Sequence, residues 1–194
     1  MTRRRLPSIF VLGLLAASAL SAAGCGPEQD AQSPESVQGL PPWLGHDQTV
    51  FDDGIDPEAV GLSMEARPPK GDPLLRERAL TADVVARVKV TTVTVESVGD
   101  DSTVHLGILV GDPPLRTPKI PEQRFELLIR PSGRAFGIAK AFDARLQGLI
   151  FVGFLKRFVG AGGEPEIHWH LSADTPEVVA AVKDAVALAE LSGL

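Results

Sequence analysis

His168-Trp169-His170 is the constellation in this chain best suited to chemistry. On an extended strand, residues two apart point to the same side. Both imidazoles therefore share one face with the Glu166 carboxylate one step further along, while Ile167, Trp169 and Leu171 turn towards a core. Two imidazoles and a carboxylate at that spacing can jointly hold zinc or copper. The plainer expectation is a structural strand whose polar residues face water. His46 and His105 would complete a metal set only if the fold carried them to the same place, which the spacing does not dictate. Asp52, Asp53, Asp56 and Glu58 offer oxygens of the kind calcium prefers. They lack the order of a twelve-residue calcium loop, so they read as a solvated acidic loop.

No catalytic residue is nominated by motif. The chain has no Gly-x-Ser-x-Gly elbow, no His-Glu-x-x-His helix and no phosphate-binding glycine loop. No cofactor is implied, and the expectation leans away from an enzyme. Arg87 and Lys89 share a strand face, and with His105 on the next strand they form a candidate binding surface. Lys156 and Arg157 straddle two faces. Phe151, Phe154 and Phe158 read as core rather than as platforms for stacking bases.

These side chains sit on elements with clear periods. Val84, Ala86, Val88 and Val90 occupy one face of a strand within 83–98, after which the apolar phase shifts to Val93 and Val95, the mark of a β-bulge in a long curved strand. A turn at Gly99-Asp100-Asp101 leads to a second strand through Val104, Leu106, Ile108 and Val110, and Gln123 to Arg130 makes a third. Ala135, Ile138, Ala139, Phe142, Leu146 and Leu149 recur at helical spacing, with Ser132 as a plausible N-cap and Gly148 as the stop. A fourth strand, Leu149 to Phe158, is apolar on both faces, which predicts a core on one side and a helix on the other. Glu166 to Ser172 is the fifth. The final helix starts after either Asp174 or Thr175 as cap and carries a stripe of Val178, Val179, Val182, Val186 and Leu191 that must pack on something.

The order β-β-β-α-β-β resembles the OB barrel, in which a long curved first strand serves both parts of a small barrel and a helix lies between strands three and four. The fold class expected is mainly β with two helices, an OB-like barrel plus a packed C-terminal helix. An open α+β sheet is the alternative.

The N-terminus carries an address. Arg3, Arg4 and Arg5 precede an apolar run from Ile9 to Leu20, then Ser21-Ala22-Ala23-Gly24 leads to Cys25, the one cysteine of the chain. A run of about 12 residues is too short for a hydrocarbon core that needs about 20. The segment resembles the signal peptide and lipobox of bacterial lipoproteins, with Ala22 where that family most often has Leu. The resemblance implies cleavage before Cys25, acylation of its thiol, and a lipid-anchored place in the bacterial cell envelope. Gly26 lacks the aspartate that commonly retains such proteins in the inner membrane, which favours the outer one. Arg3-Arg4 also resembles a degenerate twin-arginine export signal, from which Leu6-Pro7 departs.

The expected organisation is a signal peptide at 1–24, a flexible tether at 25–45, an irregular acidic and proline-rich flank at 46–80, and the barrel-like domain at 81–194. Trp43 and Leu44 are the apolar exceptions in the tether, placed either against the domain or at the membrane interface. Removing three arginines with the signal peptide takes the formal charge from −6 to −9. A surface that acidic repels phosphate backbones, so nucleic acid is disfavoured as a partner. With no second cysteine there is no internal disulfide, and the core must carry stability. The functional expectation is a non-enzymatic envelope lipoprotein that binds a protein, peptide or glycan or supports an assembly. Its alternative is a periplasmic metal-binding protein built on His168 and His170.

Overall fold

Valine-rich alternation makes one long strand the spine of the molecule. A computed structural model describes residues 38–63, 68–98 and 101–192, all within a unit spanning residues 35–194. The predicted signal segment at 1–24, Cys25 and positions 26–37 lie outside them, as do positions 99–100 of the predicted turn at 99–101. Along the chain run α1 (Asp47–Val50), β1 (Gly54–Ile55), α2 (Pro73–Thr81), β2 (Val84–Val98), β3 (Asp101–Val110), β4 (Arg124–Ile129), α3 (Phe136–Leu146), β5 (Ile150–Val159), β6 (Pro165–Ala173) and α4 (Pro176–Ser192), with 3-10 turns at Pro57–Val60 and Pro69–Gly71.

The six strands form one sheet in the order β1-β6-β5-β2-β3-β4. All neighbours are antiparallel except β1, which lies parallel to β6. Leaving the two-residue β1 aside, β6-β5-β2-β3-β4 is the order of an OB barrel opened between its third and fifth strands. Across that seam Arg130, just past β4, donates to Glu166 of β6. The fold is thus a small barrel-like α+β architecture, mainly β, with a curled sheet and a packed terminal helix.

The phase change in β2 is a real bulge: the register with β3 shifts between Val90 and Thr92. The extra residue bends the strand, which pairs with β5 from Val84 to Lys89 and with β3 from Val88 to Val98. The sheet buries both faces along β5. Phe151 and Leu155 enter the barrel core with Val88, Leu106, Leu127, Trp169 and α3's Ala139 and Leu146. Val152, Phe154 and Phe158 enter a second core under α4, with Val178, Val179, Val182 and Val186, and under α2, with Leu75 and Ala79. In the first core the Trp169 indole N–H is buried and meets no acceptor among the described residues.

Local chemistry sets the helix ends. The Thr175 hydroxyl accepts from the Val178 N–H with Pro176 in the first turn, so Thr175 rather than Asp174 caps α4. Leu191 leaves the predicted stripe and is 85% exposed. Ser132 does not cap α3; the residue before it is Ala135, without a side-chain bond, and Gly148 ends the segment at φ 88°. The proline-rich stretch between β3 and β4 is stapled by Arg116, whose guanidinium donates to the carbonyls of Ala79, Leu80 and Ala82 and closes the end of α2.

The flank at 46–80 is not irregular. It supplies α1, β1 and α2, and its Val50, Phe51, Leu75 and Ala79 belong to the second core. The folded region also starts earlier than expected: Pro42 bridges to Val159, Trp43 packs on the second core and its indole N–H donates to the Phe51 carbonyl at 2.9 Å. Leu44, 65% exposed, does not join it.

Candidate functional site

His168 and His170 do share a face of β6, with Trp169 and Leu171 in the barrel core. The expectation that this face is solvated is overturned. His168 is 2% and His170 4% exposed, because their cross-strand neighbours Lys156 and Phe154 belong to the side covered by the flank and helices.

The covering segment positions three carboxylates against them. Backbone N–H groups of Asp53 and Asp56 donate to the carbonyls of Trp169 and Leu171, laying β1 along the β6 edge. Asp53 takes φ 49°, a left-handed turn that Asp tolerates better than bulkier residues. Its Oδ1 accepts the Trp169 N–H at 3.1 Å and its Oδ2 lies 2.8 Å from His168 Nδ1. His170 sits between two acids, with Nδ1 2.7 Å from Asp52 and Nε2 3.0 Å from Asp56. A carboxylate can only accept, so both contacts are satisfied together when both ring nitrogens carry protons. Trp43 stacks on His168 with ring centroids 3.5 Å apart and planes 7° from parallel.

Two guanidinium groups complete the balance. Arg134 reaches the outer oxygen of Asp52 at 2.7 Å, and buried Arg78 donates from Nε to the Val50 carbonyl. Burial pushes the carboxyl groups of Asp52 and Asp56 up. Hydrogen bonding to His170 and the positive charges of His170 and Arg78, joined at Asp52 by Arg134, outweigh it and hold both below the ordinary 3.8. Burial likewise lowers Arg78, opposed by Asp52 and Asp56. The cluster thus pairs opposite charges, as buried ions require.

Chemically this arrangement is a clasp. Among the described residues no three His, Cys, Asp or Glu side chains are placed to hold a metal ion. Glu166 is not a convergent third ligand: its carboxylate lies 3.8 Å from His168 Nε2 and is engaged by Arg130. His46 turns to Glu77 at 2.8 Å, and His105 to Glu126 and Glu96. The acids 52, 53 and 56, read from sequence as a solvated or calcium-binding loop, are the partners of the histidines instead. Asp52 is 8% and Asp53 14% exposed at the side chain.

Beside the clasp opens a pocket of about 320 Å³ lined by Asp56, Glu58, Arg134 and Ser172, with Leu74 and Val178 as apolar wall. The nominated surface residues divide. Arg87 and Lys89 line one groove with Lys183 of α4. His105 lines another with Glu96, Leu128 and Arg130. Lys89 pairs with Leu109, four residues along β3 from His105, a separation of about 13 Å. The three are thus divided between two grooves.

Sequence reasoning missed Asp52, Asp53, Asp56, Arg78, Arg134 and Trp43 as one group. The usable signal was the coincidence of buried-type aromatics, Trp43 and Phe51, with acids in a segment otherwise too polar for a core. No protein-family model matches the chain, and no match was found among curated proteins or among solved structures.

Proposed function

We propose that this protein is a lipid-anchored lipoprotein of the bacterial cell envelope whose OB-like domain is a non-enzymatic binding or assembly module. The observation that supports the reading best is the sequence ending at Cys25: a basic start, an apolar run too short to span a bilayer and a small-residue exit before a lone thiol. Only positions 26–37 separate that thiol from the described fold. A chain of that length reaches at most about 40 Å, so the module works close to the membrane surface. Acylation at this one thiol gives partial membrane affinity per chain, and the two or three chains of a lipoprotein make it stable.

The face favoured for a partner is the outer side of β3 and β4, the part of an OB barrel that carries ligands in many relatives of the architecture. It is open, with Leu128 37% exposed beside His105. Glu96 and Glu126 flank the imidazole there. That chemistry suits a basic or polar partner, a peptide or glycan, and repels nucleic acid.

Metabolic labelling with palmitate tests the anchor. Label entering the intact protein and absent from Cys25→Ser, with the variant released from washed membranes, is the expected pair of results. An unlabelled wild-type protein recovered in the soluble fraction overturns the proposal.

A further inference from the structure

Arg87 and Lys89 of β2 and Lys183 of α4 converge on a groove of about 380 Å³ between the sheet, the helix and the proline-rich loop after β3. Its apolar wall includes Leu115 and Ile150, the latter 49% exposed. Three cations in one concavity are unusual in a chain whose formal charge is −6. Arg87 is paired with Asp174 at 2.8 Å, whereas neither Lys89 nor Lys183 meets a carboxylate among the described residues. One acid, Asp112, stands on the rim.

We propose that this groove is a binding site for a single-chain anionic amphiphile, a molecule of the fatty-acid class with one anionic head and an aliphatic body. The head is called for by charge: Lys89 and Lys183 line the groove with no carboxylate partner among the described residues, and the bonds an ammonium makes to a carboxylate are charge-assisted, the strong kind. The body is called for by the wall, since Ile150 and Leu115 gain nothing from a bare inorganic anion but lose water-exposed area against a chain. The size agrees. Its volume of about 380 Å³ sits within the usual range for small-molecule sites. A polynucleotide is excluded by the acidity of the rest of the surface. The site is independent of the anchor and of the β3–β4 face.

The test uses the purified full chain, incubated with a photoactivatable dodecanoate bearing a diazirine near its terminus, then irradiated and mapped by mass spectrometry. Saturable labelling of peptides containing 109–115, 150 or 183 is expected, displaced by dodecanoate and not by inorganic phosphate or dodecanol. Lys89→Gln with Lys183→Gln should weaken the half-saturating concentration by roughly tenfold or more, the worth of one charge-assisted bond. Both side chains are exposed and meet no carboxylate among the described residues, so the fold is not at stake, and an unchanged melting curve verifies it. Labelling spread evenly over the surface, displacement by dodecanol as good as by dodecanoate, or equal labelling of the double variant overturns the proposal.

Discussion

Replacing His170 with alanine should unlock the clasp. The imidazole is 5% exposed and lies between Asp52, 8% exposed, and Asp56, 41% exposed at the side chain. The substitution removes two charge-assisted hydrogen bonds, each worth about 1.5–3 kcal/mol. Removing one partner of a buried ion pair costs about 3–5 kcal/mol, because the other charge stays behind. Arg134 and Arg78 still neutralise Asp52, and water still reaches Asp56, which places the loss at the lower end, about 3 kcal/mol at pH 5. Urea unfolding followed by far-UV circular dichroism reads it: with a slope of about 2 kcal/mol per molar urea the midpoint falls by about 1.5 M. The pH dependence has a defined sign. Asp52 and Asp56 titrate below 3.8 in the folded wild type, so their contribution is present above that value and is lost as pH falls through the folded values beneath it. In the variant, protonating either acid relieves the repulsion left behind, so the deficit relative to wild type narrows as pH falls towards 3. Repeating His170→Ala in an Asp52→Asn, Asp56→Asn background should cost markedly less. A loss below about 1 kcal/mol at pH 5, or the same loss in both backgrounds, refutes the ionic clasp.

Trp43→Ala removes the stack on His168 and the bond to the Phe51 carbonyl; limited proteolysis should then cut within residues 38–53 many times faster, with a stability loss of about 2 kcal/mol. Arg116→Met strips the end of α2 of the donors to Ala79, Leu80 and Ala82 and should cost about 2–3 kcal/mol by urea unfolding, with Arg116→Lys restoring little because an ammonium lacks the planar fork. Since the nitrogens of His168 and His170 that approach acids are held by Asp52, Asp53 and Asp56, elemental analysis should find no stoichiometric zinc or copper, and a chelator should leave the melting temperature unchanged. One bound metal per chain, lost with both histidines replaced, would reverse that assignment.

Much of the barrel was legible because its strands obey their own period. The slip from Val90 to Val93 foretold the bulge, and the two-sided apolarity of Phe151 to Phe158 foretold two cores. The same logic failed one strand over. Glu166-Ile167-His168-Trp169-His170 alternates as a half-exposed strand does, and nothing local says that the polar side is roofed. The carboxylates of the roof come from residues more than 110 positions earlier, in the turns between α1, the two-residue β1 and the following 3-10 turn, which carry no measurable period. Acids in such a segment look solvated until their partners are placed. Asp52 became structural only once Arg134 and His170 were beside it.

What the thiol at position 25 carries decides whether the protein is lipid-anchored. Intact-mass and peptide mass spectrometry of the protein purified from whole cells is the most direct measurement. The expected result is an N-terminal peptide beginning at Cys25 and heavier than its sequence by a diacylglyceryl group, with or without a further acyl chain. A mature chain beginning elsewhere, or one with an unmodified Cys25, contradicts it.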